Sequence, residues 1–368
     1  MIDTEPTAAV ETTAAKPRQK VRGLKKALAI TGFSLLGLIV AIIIAVAVLF
    51  GGEINTLLTV SKVGDTDLFL MEYRGDYAFD AFLEQGAAND AAVVSFVSKR
   101  LLSGLPLNFD LPQLGCSTFL ATTPNNEYIF GRNFDNLYTP VLLLTTRPAG
   151  GYASISVVNL SFIGYSDTFM PISLTDRFLT LAAPFAPLDG VNEKGLSIGV
   201  LQLSIEPTVQ DTGKINITTT TAIRLVLDKA ASVDEALDLL QQYDMRSSAG
   251  AAYHFQISDA YGKSVVLVYV DNEFTVLDLD CATNFVLAPG EWYNHGGGQD
   301  RYEVLVAKLE ESGGILTEQQ GMELLSAVQQ PGGSRSPTQW SILYNNTKQT
   351  AKFCLRGDFS NVYEFSVR

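Results

Sequence analysis

The 368-residue sequence predicts an α+β layered sandwich behind a single apolar span, and three observations carry that expectation. From Cys116 onward, short β-rich runs broken by Asn, Pro and Gly alternate with pairs of helices, and hairpin strands flanked by helix pairs favour packed layers over a doubly wound sheet. Residues 27–50, ALAITGFSLLGLIVAIIIAVAVLF, hold no charge and only two polar side chains, Thr31 and Ser34. Between these regions, residues 53–115 place apolar side chains at helical spacing.

The first 26 residues, rich in Thr, Ala, Pro and charge, read as a disordered tail. They carry six bases (Lys16, Arg18, Lys20, Arg22, Lys25, Lys26) against three acids (Asp3, Glu5, Glu11), so with −13 overall the rest of the chain carries −16. An acidic body without a basic stripe repels phosphate backbones and argues against a nucleic-acid partner. At 1.5 Å rise per residue, 27–50 is long enough for a bilayer core of roughly 30 Å. The bases before it and Glu53 and Asp65 after it place the N-terminus in the cytosol and the body outside. A cleaved signal peptide is the competing reading, with Ala45-Val46-Ala47 as its site, but the run exceeds the usual apolar length of such signals. A buried core helix is disfavoured by the unbroken apolar run.

After the span, a pro-segment is expected at 53–115. DYAFDAFLEQG and DAAVVSFVSKRLLSGL read as helices stopped near Gly86 and Gly104, and PLNFDLPQLG as an extended connector. Strands are expected at CSTFLATT, EYIFGR, VLLLTTRP, YASISVVNL and GLSIGVLQLSI, then helices at TTTAIRLVLDKAA and SVDEALDLLQQY, the second with Ser232 as N-cap. Strands resume at AAYHFQISDA, KSVVLVYV, EFTVLDL and ATNFVLA. DRYEVLVAKLEES and TEQQGMELLSAVQ read as helices, and QWSILYNN, KQTAKFCLR and VYEFSVR as closing strands. There is no repeat of fixed period. The sequons at Asn159, Asn216 and Asn345 matter only in a glycosylating host.

Several chemistries drop out. The chain has two histidines, no HExxH, no CxxC and no clustered carboxylates, which argues against zinc. Walker A and dinucleotide patterns are missing too. Three cysteines are too few for a disulfide scaffold, although Cys281 and Cys354 could pair. His254, the one candidate base for a Cys-His pair, falls inside a strand. A nucleophile that brings its own base remains. If the Gly115–Cys116 bond is cut, the new α-amine of Cys116, with a reference pKa of about 7.7–8.0, lies within reach of its own thiol and can act as general base. Gly115 suits this, because glycine accepts strained backbone and leaves its carbonyl open to the thiol.

These residues resemble the choloylglycine hydrolase and penicillin V acylase family of N-terminal-nucleophile hydrolases, whose linear amide C–N hydrolase branch includes acid-ceramidase-like relatives. The resemblance covers Cys116 to the C-terminus and extends through residues 53–115. It rests on GCSTF, FGRNFD, GVNEKGLSIG, CATNFVLA followed by QDRYEVL, and QWSILYN, in that order, with Arg132 sixteen and Asp135 nineteen residues after Cys116. It implies a four-layer αββα sandwich at 116–368, autoproteolysis between Gly115 and Cys116, and hydrolysis of amides with an apolar acyl half.

Carried over by position, the resemblance makes Cys116 the nucleophile and sets Arg132 beside its sulfur, where a guanidinium favours thiolate. Asp135 would orient the α-amine, Asn192 and Asn284 would aim amide donors at the oxyanion, and Arg301 would complete the site. The plain alternatives are a turn aspartate beside Asn136, turn asparagines, and an ordinary first-turn arginine. Two departures stand out: the long segment before Cys116, more like ceramidase-type precursors, and Val268 where an acidic residue is expected.

No metal or cofactor is implied. The expected partner is a small N-acyl amide: a bile-salt conjugate, an acyl lactam, an acyl-homoserine lactone or a lipid amide. The alternatives are an acyltransferase on the same acyl-enzyme and a non-catalytic surface binding protein that keeps the fold.

Overall fold

The computed structural model describes residues 9, 31, 38, 51–107 and 115–367. The expected tail at 1–26, the apolar span at 27–50 (positions 9, 31 and 38 apart) and the connector residues 108–114 lie outside them. Among the described residues no helix is long and apolar enough to cross a membrane. The unit from Gly52 to Arg368 is described below.

In chain order the strands begin with β1 (Ser61–Lys62), β2 (Leu68–Tyr73), β3 (Gly115–Thr122), β4 (Tyr128–Asp135), β5 (Val141–Thr146) and β6 (Ser154–Asn159). Next come β7 (Pro187–Asn192), β8 (Ser197–Leu203), β9 (Asn216–Thr218), β10 (Asp244–Arg246), β11 (Ala252–Ser258), β12 (Ser264–Val270) and β13 (Glu273–Leu277). The last are β14 (Cys281–Ala282), β15 (Asn284–Phe285), β16 (Gly296–Gly297), β17 (Thr338–Asn345), β18 (Thr350–Leu355) and β19 (Val362–Ser366). The α-helices are α1 (Phe79–Gln85), α2 (Asp90–Arg100), α3 (Thr219–Lys229), α4 (Val233–Leu240), α5 (Gln299–Ser312) and α6 (Glu318–Ala327).

Among the described residues, the largest sheet has nine strands in the order β1-β2-β5-β6-β7-β8-β11-β12-β13 and a second has six in the order β14-β3-β4-β17-β18-β19, beside two-stranded pairs β9–β10 and β15–β16. Strand alternation sorts the second sheet's side chains. Arg132, Phe134, Trp340 and Tyr344 face the nine-stranded sheet, where Arg132 Nη1 donates to the Val200 carbonyl at 2.6 Å and Trp340 and Tyr344 both reach Asp189. The other parity, Phe119, Ile129 and Leu343, packs under α5 and α6 in an apolar cluster with Leu305 and Leu325. On the far side of the nine-stranded sheet, α3 lies against β7 and β8. The result is the layered order helix, sheet, sheet, helix that the mixed α+β expectation called for.

The expected helices form with few changes. Asn89 caps α2 by accepting from Ala92 N at 2.9 Å, and Gly86 ends α1 at φ 69°. Ser232 caps α4, but Glu235 reaches back to Ala231 N rather than to its own cap residue. The 53–115 segment brings a correction: two helices and an extended connector were expected there, with no strand. LFLMEY, residues 68–73, forms β2 and pairs in parallel with β5 from Leu68↔Val141 to Tyr73↔Thr146. Phe69, Met71 and Tyr73 are buried on one face while Leu70 and Glu72 are half-buried on the other, and with Leu68 and Leu70 apolar on that face too the run shows little alternation. Cys281 and Cys354 are free and buried, so the suggested pairing does not occur. The sequon Asn159 is wholly buried.

Candidate active site

Cys116 is the second residue of β3, opposite Phe134 on β4, with Gly115 opposite Asp135 and Thr118 opposite Arg132. This register puts Cys116 and Arg132 on one face, and Arg132 Nη2 donates to the Cys116 sulfur at 3.5 Å. Gly115 stands opposite Asp135 with little room to spare. Its requirement is space, because a Cβ there would lie 3.0 Å from both Cβ and Oδ2 of Asp135. To the backbone freedom argued from sequence this adds close approach to a carboxylate.

Arg132 is fully buried, and its Nε forms an ion pair with Asp189 Oδ2 at 2.7 Å. Asp189 also accepts from Trp340 Nε1 at 3.1 Å and from the Tyr344 hydroxyl at 2.5 Å. Three donors on one carboxylate hold the guanidinium in a fixed plane beside the thiol. Gly199 leaves the room for this, since a Cβ at that position would sit 3.0 Å from Arg132 Nη1.

On the other side of the thiol, the Cys116 backbone N donates to Asn284 Oδ1 at 2.5 Å, and Arg301 Nη2 donates to the same oxygen at 3.1 Å. Arg301 Nη1 meets Asp135 Oδ2 at 2.8 Å, and Thr338 donates to Asp135 Oδ1 at 2.5 Å. Asn284 Nδ2 donates to the Gln202 carbonyl at 3.0 Å. The roles expected of Asp135 and Asn284 belong to the cut chain, with its free α-amine. With Gly115–Cys116 intact, Asn284 rather than Asp135 accepts from the Cys116 nitrogen, and Asp135 is held by Arg301 and Thr338.

Two arginines and two aspartates thus surround the sulfur and their charges balance. Burial pushes the Cys116 thiol up to about 11, with Arg132 pulling against it. Burial likewise raises the Asp135 and Asp189 carboxyls, against the pull of Arg301 and Arg132 respectively. In the intact chain Cys116 is therefore a protonated thiol at neutral pH. Beside Gly115 opens a cleft of about 340 Å³, with Gln202, Ser204, Asn284, Arg301, Ser334 and Arg335 on its walls.

The structure brings together five of the six expected side chains: Cys116, Arg132, Asp135, Asn284 and Arg301. Asn192 is the exception. Its Nδ2 donates to the carbonyls of Leu227 and Ala230 at 3.1 and 2.7 Å, and its Oδ1 accepts from Lys194 N and Leu196 N at 3.0 and 3.1 Å. Its donors and acceptor are occupied in tying the β7–β8 turn to the end of α3, so the oxyanion role expected of it is corrected to a structural one. His254 is buried with Nε2 on the Thr283 carbonyl at 2.7 Å, and burial lowers it to about 4, a neutral strand histidine. Val268 packs with Leu203 and Val286 and supplies no acid.

Sequence reasoning missed Asp189, Thr338, Trp340 and Tyr344. Asp189 had a signal: an aspartate within PLDGVN, an otherwise uncharged strand run, demands a buried cation. Trp340 and Tyr344 lie in the quoted QWSILYN, and a spacing of four in a strand puts both on one face.

A buried thiol between two sheets, flanked by paired arginines and carboxylates, is the kind of site that acyl-transfer enzymes use. Comparison with known proteins narrows the class: the profile of the linear amide C–N hydrolases, choloylglycine hydrolase family, matches residues 116–308, more than half of the chain. The chain belongs to that family, and it is a hydrolase acting on the C–N bonds of linear amides. No curated protein sequence matches it. Among solved structures it is similar to a mutant of conjugated bile acid hydrolase from Clostridium perfringens, at 17% identity and a TM-score of 0.49, covering 68% of this chain and 92% of that one. It is also similar to penicillin V acylase from Agrobacterium tumefaciens, at 15% identity and a TM-score of 0.46, covering 68% and 86%.

Proposed function

We propose that this protein is an autoprocessed cysteine amidohydrolase that cleaves an N-acyl amide through a thioester on Cys116. The observation that carries the reading is the setting of Cys116: one residue after a glycine packed close against Asp135, with its sulfur on Arg132 and its backbone nitrogen on Asn284. Processing would begin with attack of the Cys116 sulfur on the Gly115 carbonyl carbon. The peptide C–N bond breaks, a thioester forms, and water releases residues up to Gly115 as a carboxylic acid.

Cutting changes the electrostatics. Four charges balance around the thiol in the intact chain, and the cut adds an ionisable amine to that set. The amine takes the thiol proton, and Arg132 together with the resulting ammonium favours thiolate. In turnover the thiolate attacks the substrate carbonyl, the ammonium protonates the departing amine, and the acyl group stays on sulfur. The amine then takes a proton from water, whose oxygen attacks the thioester to release the acid and restore the thiol. Asn284, Asp135 and Arg301 would hold the nitrogen end of Cys116 in place. The substrate class is an N-acyl amide: a bile-salt conjugate, an acyl lactam, an acyl-homoserine lactone or a lipid amide. The uncharged run at 27–50 supports a membrane tether with the catalytic part outside the cell membrane.

Intact-mass analysis of the purified chain tests the reading. The expected result is a fragment beginning CSTF in the wild type and an uncut chain in Cys116→Ala, with amide hydrolysis by the wild type alone across acyl amides of varied chain length. A wild-type chain that never yields that fragment sinks it.

A further inference from the structure

We propose that residues 52–107 are a permanent subunit, held non-covalently on the body of the enzyme after the Gly115–Cys116 bond is cut. The inference takes its occasion from the processing reading above, but its physics rests on the packing of this segment. A pro-segment made to leave would cover the cleft. This one completes the fold instead, and among the described residues the cleft beside Gly115 is walled by residues from 115 onward.

Three independent contacts carry the proposal. First, β2 inserts between β1 and β5 with six residues in parallel register. Without it, β5 would be an open edge of buried Val141, Leu142, Leu143 and Leu144, a template for aggregation that folded proteins avoid. Second, Phe79, Phe82 and Phe96 gather around Phe185 of the body with ring centroids 5.4–5.8 Å apart. Phe79, Phe82 and Phe185 are each at most 3% exposed, as core residues are.

Third, the segment closes a buried charge pair. Arg224 Nε and Asp228 Oδ1, both on α3, lie 3.0 Å apart and out of solvent. The Tyr77 hydroxyl donates to Asp228 Oδ2 at 2.7 Å, and the Arg224 guanidinium lies over the Tyr77 ring at 6.0 Å. Loss of the segment would strip a donor from a buried carboxylate, which is far costlier than never having made the bond. Rim contacts add to this, with Ala87 N on the Asn216 carbonyl at 2.8 Å and Ala249 N on Asp90 at 2.7 Å. Cutting at Gly115 therefore does not free the catalytic part from whatever holds the N-terminus.

An engineered cut separates this inference from self-processing. In a full-length Cys116→Ala chain, the recognition sequence of a site-specific protease replaces residues 108–114, and the detergent-solubilised protein is cut in vitro. The two pieces should elute together in high salt and at roughly 10 nM, within the range of stable interfaces. Pieces that separate at micromolar concentration under native conditions overturn the proposal. The same cut made in a chain that also carries Phe82→Ala should weaken the pair by roughly a hundredfold or more. An unchanged affinity would show that this face does not hold the fragments. Processing of the wild type is read separately by intact mass: an uncut wild type removes the amidohydrolase reading and leaves the engineered-cut result standing.

Discussion

Two buried arginine–aspartate pairs face each other across the nine-stranded sheet. Arg132–Asp189 lies on the inner face, between the sheets, and Arg224–Asp228 lies on the outer face under the N-terminal segment. Both are out of solvent, both carboxyls are raised by burial, and both are steadied by a tyrosine hydroxyl, Tyr344 on Asp189 and Tyr77 on Asp228. They differ in where the spare guanidinium nitrogen goes. Arg132 Nη2 ends on the Cys116 sulfur, whereas Arg224 Nη2 ends on the Ser154 hydroxyl at 2.6 Å. A buried ion pair with perturbed carboxyls thus marks either a site or a joint, and the atom at the end of the arginine decides which.

The largest effect separating the two comes from removing the carboxylates. Asp189→Ala and Asp228→Ala each leave a buried guanidinium unpaired, and each should cost about 3–5 kcal/mol of stability in denaturant unfolding. Only Asp189→Ala should also stop formation of the Cys116 fragment, because Asp189 is what aims Arg132. If both variants process equally, or both fail equally while still folded, the distinction between site and joint collapses.

His254 extends the comparison to a buried group with no reactive partner at all. Burial lowers its ring to about 4 from 6.5. Because the folded value is depressed, the native state binds fewer protons than the unfolded chain below pH 6.5. Its contribution is whole above that pH and fades as pH falls through 6.5 towards 4, by about 3 kcal/mol in all. Melting curves over this window should show the loss in wild type. In His254→Gln the slope from this group should vanish while amide hydrolysis at neutral pH persists; loss of hydrolysis in that folded variant would make His254 part of the chemistry.

How much of this was visible in the sequence follows from what each residue has to satisfy. Strands with a polar alternation and helices with caps were legible because the signal is local, as at Ser232. Strand β2 was not, because in LFLMEY only Glu72 breaks the apolar run and the strand acquires its place only from β5. The Cys116, Arg132 and Asp135 spacing was legible because a hairpin of fixed register sets it, and Gly115 was legible as special although its close approach to Asp135 was not. Asp189 was not weighed, since its partner lies 57 positions back in the chain and no local pattern links the two.

A smaller, sharper perturbation keeps the charge and removes the fork. Arg132→Lys retains a cation for Asp189 but cannot meet Asp189, Val200 and the sulfur at once, as the planar guanidinium does. The expected result is a drop of about a hundredfold in kcat/KM, with the alkylation rate of Cys116 in the processed enzyme moved to higher pH because thiolate is less favoured. Arg224→Lys should alter stability and leave kcat/KM within roughly twofold. Matching kinetic losses in the two lysine variants would mean that the inner pair acts only through packing.

The smallest expected change falls on Asn192, which sits three residues from Asp189 yet faces the turn. Its four hydrogen bonds join the β7–β8 turn to the carbonyls at the end of α3, the helix that carries Arg224 and Asp228. Asn192→Ala should therefore cost on the order of 1–3 kcal/mol of stability, through buried carbonyls left without donors. It should spare kcat/KM, whereas loss of an oxyanion donor would lower the rate by on the order of 10²-fold or more. A rate loss of that size in a variant that still melts near the wild type would return Asn192 to the site. A stability loss with an unchanged rate assigns it to the joint.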